Sequence, residues 1–194
     1  MSGMCGRDPF RRDGPVAPPG ANSYHVAIPT GRFRSELTAM TPAIQLALEH
    51  GIDHRIHEYE HDPAHASYGM EAAEKLGVAA DRVFKTLVVS LDGGKLAVAV
   101  LPVSAQLGLK RFAKAAGAKK AEMAAAADVQ RVTGYVLGGV SPLGQKKPLP
   151  TFFDASAEVF DTIYVSAGRR GLEIELDPAD LLRLTSGRYA DLRQ

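Results

Sequence analysis

The chain has little cysteine and little net charge. Cys5 is its one cysteine, so no internal disulfide can form and no cysteine cluster can bind zinc, which is typical of a reducing compartment such as the cytoplasm. The net charge is +1, so any contact with nucleic acid must come from a local patch. No apolar run approaches the ~20 residues of a membrane-spanning helix, and the N-terminal stretch lacks the continuous apolar core of a secretory signal.

Residues 1–39 differ in composition from the rest of the chain. Prolines, glycines and arginines are scattered through them without apolar periodicity, which predicts a disordered, dispensable extension. Regular patterning starts at Met40. There, Thr41 as N-cap and Pro42 at the first helical position predict a helix that ends at Gly51. We therefore predict one folded domain over residues 40–194.

The segment 83–91 is the clearest strand in the sequence. It is rich in β-branched and aromatic residues, and the turn signal Asp92–Gly94 follows it at once. Lys85 is the only charge on one otherwise apolar face. Such a lysine either extends its ammonium to water near the strand end or lies at the floor of a substrate pocket, and the pattern leaves both interpretations open.

The remaining pattern predicts an α+β fold. Further strands are predicted at residues 55–60, 95–101, 134–137, 151–154, 162–166 and 172–176. Further helices are predicted at residues 67–76, 109–116 and 122–132, and from Asp177 onward. Residues 95–101 are apolar on both faces, so they form a central hairpin with 83–91. Strands and helices mix without strict alternation, which favours a mixed, curled sheet.

A histidine cluster and a basic segment give weaker evidence about function. Five histidines fall between residues 50 and 65, but Gly51 breaks any common helix and His54 and His57 face opposite sides of a strand, so we predict no metal site. Residues 109–120 contain five cations and no acid. This is either a solvated helix face or a patch that contacts phosphates, to which Lys146, Lys147, Arg169 and Arg170 add charge.

Six short sequence motifs, taken together in their order and spacing, resemble those of a known protein family. They are Met-Thr-Pro-Ala at 40–43, His-Glu-Tyr-Glu-His-Asp at 57–62, Glu-Ala-Ala-Glu-Lys-Leu-Gly at 71–77, Phe-Lys-Thr-Leu at 84–87, Thr-Gly-Tyr with Gly-Gly-Val-Ser-Pro-Leu-Gly-Gln-Lys-Lys within 133–147, and Ile-Tyr-Val-Ser with Gly-Arg-Arg-Gly-Leu within 163–172. The chain from about Met40 onward resembles the YbaK family of freestanding cysteinyl-tRNA(Pro) deacylases, relatives of the editing domain inserted in bacterial prolyl-tRNA synthetases.

The resemblance implies a fold, an activity and a set of site residues. The fold is a barrel-like mixed sheet surrounded by helices. The activity is removal of cysteine mischarged onto proline tRNA, with Cys-tRNA(Cys) as a second candidate substrate. Aminoacyl-tRNA and prolyl-tRNA synthetase are the implied partners, and no metal or organic cofactor is implied. Lys85 is the implied essential residue. The implied substrate-binding residues are Tyr59, Thr86, Tyr135, Gly138, Gly139, Ser141, Pro142, Ser166 and Gly168.

The residues also bear on the mechanism. The predicted domain has no cysteine, and every histidine lies at or before His65, so neither a protein thiol nor a Ser-His-Asp arrangement is expected. Backbone N–H groups of Gly138 and Gly139 are candidate oxyanion donors, and Lys85 is a candidate to hold the terminal adenosine. The resemblance implies that the substrate's own thiol attacks its ester, which releases a cysteine thiolactone.

Two alternatives stay open. The first is an alanyl-tRNA(Pro) deacylase, but relatives with that preference carry a histidine in the late glycine-containing loop, where this chain has Ser166-Ala167-Gly168. The second is a tRNA- or synthetase-binding module without turnover. Retention of Lys85 and of the whole Gly-Gly-x-Ser-Pro loop argues against that module.

Overall fold

A computed structural model of the chain describes residues 40–65 and 67–194. The extension predicted over 1–39 lies outside the described residues. Among the described helices, none combines the length and the apolar character that crossing a membrane requires.

Helices and strands alternate irregularly along the described residues. The helices are α1 (Pro42–Glu49), α2 (Tyr68–Leu76), α3 (Leu109–Ala115), α4 (Ala126–Thr133) and α5 (Pro178–Thr185). The strands are β1 (His54–Glu58), β2 (Val83–Leu91), β3 (Leu96–Pro102), β4 (Ala121–Met123), β5 (Thr151–Asp154), β6 (Ile163–Arg169), β7 (Leu172–Leu176) and β8 (Arg188–Ala190).

All these strands belong to one mixed sheet. Its order is β1-β7-β6-β2-β3-β5-β8, and β4 pairs with the far end of β2. The pairs β2–β6, β3–β5 and β5–β8 are parallel, and the others are antiparallel. The predicted α+β class with a mixed sheet is confirmed. The sheet is not closed into a barrel, because β1 and β8 stand at its opposite ends.

The central hairpin β2–β3 forms as the apolar pattern predicts. Seven residue pairs join the two strands, and Val98, Ala99 and Val100 have no exposed surface. Val98 and Val100 pack in the core that α1 and α5 cover, whereas Ala99 packs with Phe112 of α3 on the other side. Burial on both faces explains why the strand carries no polar residue.

Capping residues set where the helices begin. The Thr41 hydroxyl accepts a hydrogen bond from the Ile44 N–H at 3.3 Å, and the Ser67 hydroxyl accepts one from Met70 at 3.4 Å. The Thr41 hydroxyl also donates to the carbonyl of Ala167, which attaches the start of α1 to β6.

The structure corrects two local predictions and adds one strand. Residues 121–123 are strand β4 and not the start of a helix, because pairing with the end of β2 outweighs their alanine-rich helix propensity. Residues 134–137 form no strand. Gly134 ends α4 with a φ of 80°, and the next residues enter a turn closed by a hydrogen bond from the Gly139 N–H to the Val136 carbonyl. Strand β8 was not predicted.

Candidate active site

A cavity of about 410 Å³ lies where β2 and β6 separate. These parallel strands share only two register pairs, Val83 with Tyr164 and Phe84 with Val165. Beyond Phe84 the strands no longer pair, and the next residues of β2 and β6 line the cavity instead. The volume is in the usual range for a small-molecule site.

Several separate parts of the chain line this cavity. They are residues 83–87 of β2, Val103 after β3, Ser166 of β6, Glu173 of β7, residues 67–69 at the start of α2, and Leu137, Gly138 and Val140 in the glycine loop. Four predicted site residues are among them: Lys85, Thr86, Gly138 and Ser166.

Lys85 lies on the cavity wall with a fixed ammonium. Its Nζ donates a hydrogen bond of 2.6 Å to the carbonyl of Ala105, in the loop after β3. The side chain is half-buried, and burial lowers the pKa of the ammonium below its usual value. The ammonium is therefore held beside the cavity by a charge-assisted hydrogen bond.

Thr86 also lines the cavity, but its hydroxyl is buried behind the cavity surface. Its Oγ1 is buried and has no hydrogen-bond partner in the described part of the chain. A buried hydroxyl without a partner costs about 1–3 kcal/mol.

Glu173 is a cavity residue that the sequence analysis missed. It lies opposite Ser166 in the β6–β7 register and is 7% exposed, and burial raises the pKa of its carboxyl to about 8. Glu175 lies on the same face of β7, since side chains two residues apart share a face. The segment 172–176 therefore places two carboxyls on one face of a buried strand, a pattern that signals a polar site.

Glu175 contrasts with Glu173 because its carboxylate has partners. It accepts hydrogen bonds from His57 at 2.9 Å and from the Thr162 hydroxyl at 2.7 Å. Burial raises the pKa of Glu175, but the bonds from Thr162 and His57 outweigh burial and hold it below its usual value. In the described chain, no side chain bonds to Glu173 in this way, so its carboxyl is left for a ligand.

The two glycines of the loop have different roles. Gly138 has a φ of 83°, and a Cβ added there would lie 2.8 Å from the Tyr68 ring. Gly139 is buried, and its N–H already donates to the Val136 carbonyl at 3.0 Å. Within the described residues, the Gly138 N–H has no partner. Of the two, Gly138 is therefore the better candidate oxyanion donor.

Three other predicted residues brace the loop from behind the cavity. The Tyr135 hydroxyl donates to the Leu143 carbonyl at 2.8 Å, and burial raises the pKa of Tyr135 to about 12. The Ser141 hydroxyl accepts from the Leu143 N–H at 3.2 Å. A Cβ added at Gly168 would lie 2.7 Å from the Tyr135 ring, so glycine there lets the ring pack against β6.

Two further predicted residues lie outside the cavity lining. Pro142 contributes to a separate groove of about 570 Å³, next to Leu46 and Leu184. Tyr59 is half-buried against Val83 and Val103, which form part of the cavity wall, so it supports that wall. Burial, and then the charge of Glu173, raises the pKa of the Tyr59 hydroxyl.

Residues 62–184 match the aminoacyl-tRNA editing domain family. A protein of Enterococcus faecalis named "Putative Cys-tRNA(Pro)/Cys-tRNA(Cys) deacylase EbsC" is 40% identical over 152 residues, which cover 78% of this chain and 92% of that protein. This chain belongs to the aminoacyl-tRNA editing domain family.

Another relative and a solved structure are also similar to most of this chain. The "Multifunctional Ser/Thr-tRNA deacylase ProXp-y" of Escherichia coli K12 is 28% identical over 156 residues, which cover 78% of this chain and 90% of that protein. A crystal structure described as "a putative trans-editing enzyme for prolyl tRNA synthetase" superposes with a TM-score of 0.68 at 25% identity and covers 80% of this chain and 99% of its own.

A buried carboxylate orders the segment next to the cavity mouth of this editing domain. Glu71 is fully buried and accepts hydrogen bonds from the Asp62 N–H at 2.6 Å and from His61 Nδ1 at 2.8 Å. Burial raises the pKa of Glu71, but these bonds outweigh it and leave the pKa lowered. Across the described residues, no group of three or more His, Cys, Asp or Glu side chains is placed to hold a metal ion.

Proposed function

We propose that this editing domain is an aminoacyl-tRNA deacylase whose main substrate is cysteine mischarged onto tRNA(Pro), with Cys-tRNA(Cys) as a further substrate. The observation that carries the proposal is the lining of the cavity. It combines the ammonium of Lys85 with the carboxyl of Glu173, to which no side chain of the described residues bonds. The relative with 40% identity, named for action on these two tRNAs, supports the choice of cysteine.

Each polar group of the cavity suits one part of a cysteinyl ester. The carboxyl of Glu173 suits the α-ammonium, because burying a carboxylate becomes favourable when an opposite charge pairs with it. The Gly138 N–H suits the oxyanion that forms on the ester carbonyl. Lys85 suits the ribose or phosphate oxygens of the terminal nucleotide, since its ammonium is already held at the cavity wall.

The nucleophile in this proposal is the thiol of the substrate. Residues 40–194 contain no cysteine, and no histidine lines the described cavity. The cysteine sulfur attacks the ester carbonyl, the C–S bond forms and the bond to the ribose oxygen breaks. The thiol proton ends on that oxygen, and the product is a thiolactone. Intramolecular attack in a fixed geometry can lower the barrier by about 7–11 kcal/mol at best.

A second candidate is hydrolysis of seryl or threonyl esters. Glu173 has a pKa of about 8, so near neutral pH it exchanges protons readily and can act as a general base for water. The Escherichia coli relative named as a Ser/Thr-tRNA deacylase supports this candidate, although its identity to this chain is lower, at 28%.

One panel of substrates separates these activities. The purified protein is assayed on tRNA(Pro) charged with cysteine, S-alkylated cysteine, serine, threonine, alanine or proline. The proposal expects rapid release of cysteine alone, and blocked release once the thiol is alkylated. Rapid release of serine or of alkylated cysteine would make water the nucleophile. Preference for alanine, or release from none of the tRNAs, would support the alanyl or the non-catalytic alternative.

We also propose that the protein acts in the cytoplasm beside prolyl-tRNA synthetase. The chain is 32% identical over 124 residues to a proline–tRNA ligase of Shouchella clausii, where the match covers 21% of that enzyme. Addition of prolyl-tRNA synthetase should raise deacylation of Cys-tRNA(Pro) more than that of Cys-tRNA(Cys).

A further inference from the structure

The mouth of the cavity has an apolar rim. On one side of the mouth lies Tyr68, at the start of α2, and this residue is 41% exposed. Leu137 is 49% exposed on the glycine loop, and Val136 before it is 47% exposed. Two of these side chains, Tyr68 and Leu137, also line the cavity. An exposed aromatic ring beside exposed aliphatic side chains suits a flat apolar ligand better than it suits water.

Arg170 connects the two sides of this rim. Its guanidinium carbon lies 4.8 Å from the centroid of the Tyr68 ring, and its Nε donates a hydrogen bond of 3.0 Å to the Leu137 carbonyl. The guanidinium is therefore held over the tyrosine by two contacts on different elements. A planar cation stacked on an aromatic ring keeps a second face on which another planar group can stack.

The neighbouring arginine shows that this arrangement is specific to position 170. Arg169 forms an ion pair of 2.6 Å with Glu58. Arg170 is exposed, and among the described residues no carboxylate pairs with it. The two arginines thus carry the same charge one residue apart. Within the described chain, Arg170 is the one of the two that has no carboxylate partner, and it contacts Tyr68 and Leu137, which line the cavity.

Further contacts hold the Tyr68 ring in place. Gly138 packs directly against the tyrosine ring, because an added Cβ would lie 2.8 Å from it. Behind the ring, His61 lies 5.5 Å from Tyr68, centroid to centroid, and is held by the buried Glu71. Preorganised aromatic surfaces bind at a lower entropic cost than mobile ones.

We propose that Arg170, stacked on Tyr68, forms the platform that receives the adenine base of the tRNA's 3′-terminal nucleotide. This inference rests on the proposed function, because an ester carbonyl inside the cavity leaves the terminal ribose and its base at the mouth. The base is the large planar group of that nucleotide. Stacking of bases on aromatic rings and guanidinium planes is a general way in which proteins hold unpaired nucleotides.

The test compares two small esters that differ only in the base. One is the 3′-cysteinyl ester of adenosine 5′-phosphate, and the other is the same ester of 1-O-methyl-ribose 5-phosphate. The unaltered protein should prefer the adenosine ester in kcat/KM by between about 5- and 150-fold, the range that base stacking is worth elsewhere. R170A should lose most of this preference. R170K should lose it too, because an ammonium keeps the charge but not the plane.

The matched control is R169A, which removes the same charge from the next residue and should keep the preference. Equal kcat/KM for the two esters in the unaltered protein would overturn the platform while leaving deacylation intact. If R170A lowered kcat/KM equally for both esters, Arg170 would act only by holding Tyr68 and the glycine loop together. That result would also overturn the platform. Failure to cleave either ester or Cys-tRNA(Pro) would refute the proposed function itself.

Discussion

The buried carboxyl of Glu173 should make the stability of the protein fall as pH rises. The native pKa is about 8, against an ordinary value of 4.5, so the native state keeps a proton that the unfolded chain releases. Between these two values the unfolded state binds fewer protons than the native state, and the free energy of unfolding decreases. At about 1.36 kcal/mol per pH unit over about 3.5 units, the loss is at most about 5 kcal/mol. Water in the cavity reduces it, because it solvates the carboxylate.

Glu173→Gln removes the titration while keeping the shape of the side chain. The variant should differ least from the unaltered protein at pH 5, where the folded state carries a neutral side chain in both and the pH is only just above the value at which the unfolded glutamate ionises. At pH 8 it should be the more stable of the two, with a melting temperature higher by several degrees, since 1 kcal/mol shifts a domain of this size by about 2–4 °C. Urea unfolding from pH 5 to pH 8 measures the difference directly.

Glu175→Gln is the matched control on the same strand face. Thr162 and His57 lower the pKa of Glu175 in the unaltered protein. The stability that this carboxylate contributes is therefore present above the ordinary carboxyl pKa and is lost as pH falls. This variant should be less stable than the unaltered protein at pH 7, and the deficit should shrink in acid. If the difference between Glu173→Gln and the unaltered protein stayed constant from pH 5 to pH 8, Glu173 would be ionised throughout, and the reasoning would fail.

Three further expectations follow from the same structure. Lys85→Ala should abolish deacylation but shift the melting temperature by only a few degrees, because it removes a costly half-buried ammonium together with its bond to Ala105; near-normal turnover would contradict this. A chain starting at Met40 should fold and deacylate like the full chain, and a melting temperature lower by several degrees would show that residues 1–39 stabilise the domain. Charge reversal at Lys146 and Lys147 should weaken binding to all tRNAs alike, and binding that did not change with salt concentration would refute an electrostatic surface.

The structure revises the positive surface on which the last expectation rests. Several cations of the predicted patch have acidic partners from distant or nearby segments. Arg111 pairs with Asp191, Arg169 with Glu58, and Lys120 with Glu122. In the described part of the chain, Lys110, Lys114, Lys119, Lys146 and Lys147 form no such ion pair. Phosphate contacts are therefore expected from these lysines first.

Local sequence signals determined most of the secondary structure. The N-cap Thr41 with Pro42, and the stop at Gly77 with its φ of 66°, act within a few residues, so they can be read without the fold. The strand Val83–Leu91 was predicted at its observed bounds for the same reason. The motif strings located Lys85, and the editing-domain family they indicated is confirmed.

Tertiary structure alone decided what the site contains. Glu173 and Glu175 are the same residue type on the same strand face, yet partners from β1 and from the loop before β6 satisfy only Glu175. The cavity exists because β2 and β6 stop pairing after Phe84, which no local pattern encodes. The Gly139 N–H donates a hydrogen bond within a turn, whereas Gly138 lines the cavity. Each outcome depends on contacts between segments far apart in the chain, and such contacts set burial, pKa and free hydrogen-bonding groups.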